Sequence, residues 1–321
     1  MSPPLLKVTG LSVEHRDAGR SFRALDQVDV EVHAGEAVGI VGESGAGKST
    51  LARACLKLVR PSAGRIEWLG EDLAGLHGPA LAEARGKIGV VFQDPVASLD
   101  PRLRVADSIG EPLAVHRPAL GADERRRAVE AMLERVGLAR ELGNRYPHEL
   151  SGGQCQRVAI ARAMITEPRL VVCDEPWSAL DVSVQAQIVN LFEDLRRDTG
   201  TALLVISHNL ALVRHLCSRV LVLYLGRVME LAPRERLFGT PLHPYTRLLL
   251  DAVPRLGQAP PTVQSGEPAS PFAPPSGCVF RTRCRHAIAR CSAERPPLVA
   301  HGDGRLAACW RAGEGVAARG E

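Results

Sequence analysis

The residues Gly42-Glu43-Ser44-Gly45-Ala46-Gly47-Lys48-Ser49-Thr50 carry the clearest chemistry in this sequence. They fit the pattern G-x-x-x-x-G-K-[ST]. The apolar run Ala37-Val-Gly-Ile-Val41 precedes them, and a helical pattern from Lys48 to Leu58 follows. Glycines let the backbone curl so that successive N–H groups point at one anion. A helix N-terminus adds partial positive charge at the same place. Lys48 is placed to reach the β and γ phosphates of a nucleotide, and Ser49 to offer a hydroxyl to Mg²⁺.

A second set lies downstream. Leu170-Val-Val-Cys173 reads as a buried strand that delivers Asp174 to its end, where a carboxylate can hold Mg²⁺ through water. Glu175 comes one residue later, placed to activate a water. A third set is sulfur: Cys278, Cys284, Cys291 and Cys309 crowd into the last 44 residues. Their spacing lacks the tight C-x2-C pairs of common zinc sites. Four thiolates suit a [4Fe–4S] cluster or Zn²⁺, and spacing does not decide between them. Cys55, Cys155, Cys173 and Cys217 stand singly among apolar neighbours and read as small core residues.

The elements that position these groups follow from composition and periodicity. The 321 residues are 45% hydrophobic and 24% charged, the balance of a globular protein. The net charge of +4 is too mild for a nucleic-acid binder, although residues 278–321 hold eight Arg, no Lys and four acids. No apolar run approaches the roughly 18 residues of a membrane span, and the N-terminal residues lack the apolar core of a signal peptide. A cytoplasmic location is expected, with any membrane role exercised through a partner. Residues 1–35 read as short strands, and Lys87 to Phe92 as another. Val129, Met132, Leu133 and Val136 recur at helical spacing, marking a small helical subdomain over about 97–150. Ala202 to Ile206 reads as a buried strand and Ser183 to Arg197 as an amphipathic helix. Alternating strands and helices predict an α/β fold with a mainly parallel sheet. Seven prolines between Pro254 and Ser276 mark a linker over 256–277, with a Cys-rich extension at 278–321 beyond it.

Leu150-Ser151-Gly152-Gly153-Gln154 resembles the signature motif of ABC-type ATPases. Other pieces resemble that family in order: Gln93 the Q-loop, Ser178-Ala-Leu-Asp181 the D-loop, and His208 after Val205-Ile-Ser207 the switch histidine. The resemblance covers about residues 5–255. Asp174 to Gln185, Pro241-Leu-His-Pro-Tyr-Thr-Arg247 and the cysteine-bearing tail are similar to the ATPase subunits of oligopeptide, dipeptide and nickel importers.

The resemblance implies a P-loop ABC ATPase domain over 1–255. It would have a mainly parallel sheet, an N-terminal antiparallel β subdomain and a helical subdomain. Two such domains would sandwich two ATP molecules. Gly42 to Thr50 would bind one nucleotide, with Mg²⁺ held by Ser49, Gln93 and Asp174. Ser151, Gly152, Gly153 and Gln154 would touch the γ-phosphate held by the opposite subunit, with the helix Gln156 to Thr166 aimed at it. Glu175 would be the general base, His208 would hold the γ-phosphate, and Asp181 would link the two sites. His15 is the position matching the adenine-stacking residue, with Phe22 a second candidate. The implied partners are transmembrane permease subunits, a second ATPase subunit and, indirectly, a substrate-binding protein. The tail resemblance favours iron–sulfur over zinc. The implied function is the ATP-hydrolysing motor of a peptide importer, peripheral on the inner face of the membrane. The rivals are a repair or translation ATPase with a metal-bearing nucleic-acid tail, and a P-loop kinase, which leaves Leu150 to Gln154 unexplained.

Overall fold

A computed structural model describes residues 3–17, 19–178, 180–253 and 269–313. Among these, the strands are β1 (Leu6–Asp17), β2 (Arg20–Val32), β3 (Ala37–Val41), β4 (Ala63–Trp68), β5 (Glu71–Asp72), β6 (Ile88–Val91), β7 (Leu170–Asp174), β8 (Ala202–Ile206), β9 (Arg219–Tyr224), β10 (Arg227–Pro233), β11 (Val299–Ala300) and β12 (Leu306–Ala307). The helices are α1 (Lys48–Cys55), α2 (Gly78–Gly86), α3 (Val105–His116), α4 (Ala122–Arg135), α5 (Gly152–Met164), α6 (Val182–Thr199), α7 (Leu210–Leu216), α8 (Arg234–Gly239), α9 (Pro244–Asp251) and α10 (Ala289–Ala293). The chain divides into two compact units. One comprises Met1–Leu6, Val32–Ala37 and Glu67–Ile206; the other comprises Lys7–Glu31, Val38–Ile66 and Ser207–Glu321.

In the first unit, β6, β7 and β8 pair in parallel, with Val91 opposite Cys173 and Asp174 opposite Ile206. Every residue of β7 and β8 is buried, as their unbroken apolar runs require of strands covered on both faces. α6 buries Ile188, Val189, Leu191, Phe192 and Leu195 and ends at Gly200 in the left-handed region (φ 68). α3 packs on α4 and also on α5. Val129, Met132 and Leu133 point inward from α4, and Val136 is buried just past its end.

In the second unit, β3 runs parallel to β9, and β10 returns antiparallel to β9 with a bulge between Val228 and Glu230. β2, β1 and β4 form a second sheet in that order. Two expectations are corrected here. Residues 6–32 form two long strands of 12 and 13 residues, not several short ones. Gly10 (φ 57) and Gln27 (φ 56) break the alternation, which disguises long strands as short runs. Nor is the Cys-rich segment a separate extension. β12 pairs antiparallel with β10, with Glu230 opposite Ala307 and Leu231 opposite Leu306, and β11 pairs with β12. Val279 and Phe280 are each 1% exposed. Ala307, another of this segment's few apolar residues, is buried where the segment joins the second unit. Most of the Pro-rich linker lies outside the described residues; its end, from Ala269, is described.

Candidate active site

The phosphate loop belongs to the second unit. β3 ends at Val41, and α1 starts at Lys48 with Gly47 as its N-cap at φ 101. A Cβ on Gly47 would lie 2.4 Å from the Ala24 carbonyl oxygen, and one on Gly42 would lie 2.2 Å from that of Leu223. Both positions therefore exclude any side chain, and the backbone can curl against its neighbours only because none is present. Lys48 is 8% exposed. Its ammonium donates to the carbonyl oxygens of Gly42 (2.9 Å) and Glu43 (3.0 Å), which keeps the buried charge compensated at the loop. Ala46 N–H closes a turn onto Glu43 O at 3.2 Å.

Around the loop, His15 Nε2 lies 3.3 Å from Thr50 Oγ1, and its ring centroid is 5.8 Å from that of Phe22. Phe22 meets Phe272 edge-on at 4.9 Å, and the Arg20 guanidinium lies 4.5 Å over the Phe272 ring. Both adenine-stacking candidates therefore share one aromatic group, which Phe272 extends. His208 is exposed. Ser207 N–H donates to Ile40 O (3.1 Å), and Asn209 caps α7 by accepting from the N–H groups of Ala211 and Leu212.

The first unit carries the other candidates. Asp174 is the last residue of β7 and is 8% exposed, as is Glu175. Glu175 adopts φ 51, a left-handed conformation that a side chain disfavours and that clusters at functional sites. Its N–H donates to Ile206 O (3.0 Å), and its carbonyl accepts from Ser178 N (3.2 Å) and Oγ (3.1 Å). Trp177 is 1% exposed, and Gln185 Nε2 donates to the carbonyls of Trp177 and Leu180. A buried indole and one amide thus tie down the turn after Glu175. Gln93 is exposed just past β6.

The signature residues form the first turn of α5, a correction to the expected start at Gln156. Ser151 is the N-cap; its Oγ accepts from Gln154 N (3.3 Å), and Gln154 Oε1 accepts from Ser151 N (2.9 Å). This reciprocal capping box makes Ser151 to Gln154 the helix end itself. A Cβ on Gly153 would lie 3.0 Å from Val184 of α6. Cys155 is fully buried, its Sγ donating to Pro147 O, so it faces the core. Asp181 stands at the N-cap position of α6 with an exposed side chain that makes no capping bond.

A model of the ABC transporter family matches residues 25–178, and one for the C-terminal region of oligopeptide/dipeptide transporters matches residues 229–291. The oligopeptide transport ATP-binding protein OppF of Salmonella typhimurium is 49% identical over 284 residues, covering 87% of this chain and 85% of that protein. The chain belongs to the ABC transporter family. A probable peptide ABC transporter ATP-binding protein of Sinorhizobium fredii is 47% identical over 319 residues, covering 96% of this chain and 90% of the relative. Among solved structures, a dimeric ATP-binding cassette in a post-hydrolysis state with ADP and Pi is 31% identical. It has a TM-score of 0.66 and covers 71% of this chain and 98% of its own. As a member of this family the chain is an ABC-type ATPase, and the repair, translation and kinase readings gain no support from these relatives. Among the described residues no helix is long and apolar enough to cross a membrane.

Burial does not divide the cysteines into two sets: Cys278 and Cys291 are buried, while Cys284 and Cys309 are partly exposed. Cys55, Cys155, Cys173 and Cys217 are buried, and burial pushes the Cys55 thiol up to about 12. At the C-terminal end, burial pushes Cys309 up to about 11, with Cys284, Cys278 and Cys291 adding to it. These four thiols are a suitable donor set for a metal in chemical type. The expected convergence on an ion is nevertheless corrected: among the described residues no three His, Cys, Asp or Glu side chains are grouped to hold one.

Sequence reasoning missed two groups. Tyr245 in α9 and Arg283 in the cysteine segment both reach Glu43 of the phosphate loop. The stretch Pro241 to Arg247 was itself conspicuous, but nothing in its spacing points to the loop.

Proposed function

We propose that this chain is the ATP-hydrolysing motor subunit of an importer for di- or oligopeptides, working as a dimer with a second ATPase subunit on transmembrane permeases. The phosphate loop carries the reading: a curl that admits no Cβ at Gly42 or Gly47 leads into the first turn of α1, and Lys48 donates back to its carbonyls. The peptide substrate is supported by the OppF relative and by the C-terminal region match. The dimer is supported by the dimeric cassette neighbour. A place on the inner face of the membrane and an indirect link to a substrate-binding protein follow from that role.

Gly42 to Thr50 would hold the phosphates of ATP, and Ser49, Asp174 and Gln93 would hold Mg²⁺, which supplies charge neutralisation on the phosphate oxygens. Glu175 accepts the proton of the attacking water. His208 orients the γ-phosphate, and Ser151 to Gln154 present a capped helix end to the nucleotide held by the partner. Asp181 links the two sites, and His15 with Phe22 receives the adenine.

Lys48→Ala is expected to abolish nucleotide binding and hydrolysis. Glu175→Gln is expected to keep ATP binding, lose hydrolysis and accumulate dimer with ATP in light scattering. Near-normal turnover by either variant in the assembled transporter overturns the site reading.

A further inference from the structure

Glu43 occupies the second position of the phosphate loop, and each of its polar groups is engaged. Its N–H donates to the Tyr245 hydroxyl at 2.9 Å. Its carbonyl accepts from Lys48 Nζ and from Ala46 N. Its carboxylate accepts a two-pronged contact from Arg283, Nη1 to Oε2 at 2.7 Å and Nη2 to Oε1 at 2.9 Å. The Arg283 side chain is 9% exposed and that of Glu43 25%, so water screens this pair little. Arg283 is itself held among aromatic rings: its guanidinium carbon lies 5.9 Å from the ring centroids of Tyr224 and Phe280. Tyr245 packs on the same two rings at 4.7 and 5.2 Å. One aromatic cluster thus fixes both groups that grip Glu43.

We infer that Arg283 and Tyr245 are positioning residues of the phosphate loop, so that the segment between Cys278 and Cys284 helps set the affinity for nucleotide. The reasoning is mechanical. The loop binds phosphate through backbone N–H groups, and their directions depend on how the chain enters the curl at Gly42 and Glu43. Lys48 leans on the carbonyls of these same two residues, so movement at Glu43 moves the ammonium. A planar guanidinium bonded through two parallel N–H groups fixes a carboxylate in orientation as well as distance, which a lysine cannot reproduce.

The inference rests on the phosphate loop being the nucleotide site, and the test separates the two. Affinity for MgADP would be measured by titration calorimetry on the full-length chain, and KM and kcat for ATP on the assembled transporter. The variants are Arg283→Ala, Arg283→Lys, Glu43→Gln, the Arg283→Ala/Glu43→Gln double variant, Tyr245→Phe and Lys48→Ala. Losing the two charge-assisted bonds should weaken MgADP binding about ten-fold and raise KM more than it lowers kcat. Arg283→Lys should recover part of the loss, and the double variant should be no worse than the poorer single one. Tyr245→Phe keeps the aromatic cluster and removes only the acceptor for Glu43 N–H, so it reports on loop position even if Arg283→Ala does not fold; it should weaken binding about three-fold or more. Wild-type affinity in Tyr245→Phe and in every folded Arg283 variant, or additive losses in the double variant, overturns the inference. If Lys48→Ala also binds nucleotide normally, the site reading itself has failed.

Discussion

Glu230 offers a stringent test of how the turn before α9 is held. Its side chain is fully buried on β10, beside the bulge. The carboxylate accepts from Leu242 N and His243 N at 2.9 Å each. These contacts place Pro244 and Tyr245 at the start of α9. Glu230→Ala strands two buried N–H groups. Each orphan costs about 1–3 kcal/mol, so the total is roughly 2–6 kcal/mol, with any water that enters lowering it. Glu230→Gln keeps one acceptor oxygen and should cost about half as much. Urea unfolding followed by tryptophan fluorescence and circular dichroism would measure both. A cost below about 1 kcal/mol for Glu230→Ala, or equal costs for the two variants, would refute the reasoning. The pH dependence has a definite sign. Burial raises the Glu230 pKa against the opposing backbone bonds and the Arg305 charge. The folded chain therefore binds this proton more tightly than the unfolded chain does. The associated stability is present at low pH and lost as pH rises through the folded pKa. Glu230→Gln should remove that part of the profile.

The opposite sign is expected at Asp26. Burial alone would raise its pKa, but Arg295, Arg23 and Arg227 together bring it below the usual carboxylate value. Stability from this cluster should be intact above about pH 4 and fall as pH drops through the folded pKa. Asp26→Asn should blunt that acid loss in a melting series, and an unchanged acid limb would count against it. Gly47→Ala should reduce nucleotide affinity more than ten-fold, a rough figure for a Cβ forced against a backbone oxygen in a left-handed turn; normal binding would mean that the loop adopts another path. Purification without oxygen, followed by iron, sulfide and zinc assays, tests the cysteine set. A protein free of all three is expected from the ungrouped thiols, and iron with matching sulfide would refute that.

Local patterns were legible wherever one short stretch carries its own physics. Gly42 to Thr50 announces a curl at a helix start, because glycine and lysine positions alone set that shape. β7 and β8 were visible as unbroken apolar runs, and α4 by its spacing. Long strands were harder to see, since positive-φ residues at Gly10 and Gln27 break their alternation. The start of α5 was misplaced because Ser-Gly-Gly-Gln has low helix propensity, and the reciprocal capping by Ser151 and Gln154 supplies what propensity lacks.

The sequence alone determined the chemical inventory: a phosphate loop, a carboxylate pair at a strand end, a signature turn and four late cysteines. Each is a matter of residue type at close spacing. Only tertiary structure decided what Glu43 touches, because Tyr245 and Arg283 lie 202 and 240 residues away along the chain. It also decided that the cysteine segment joins a sheet through β12 and β10 instead of hanging as a tail. Pairing and ion contacts over such separations depend on how the intervening chain packs, and no local period records that.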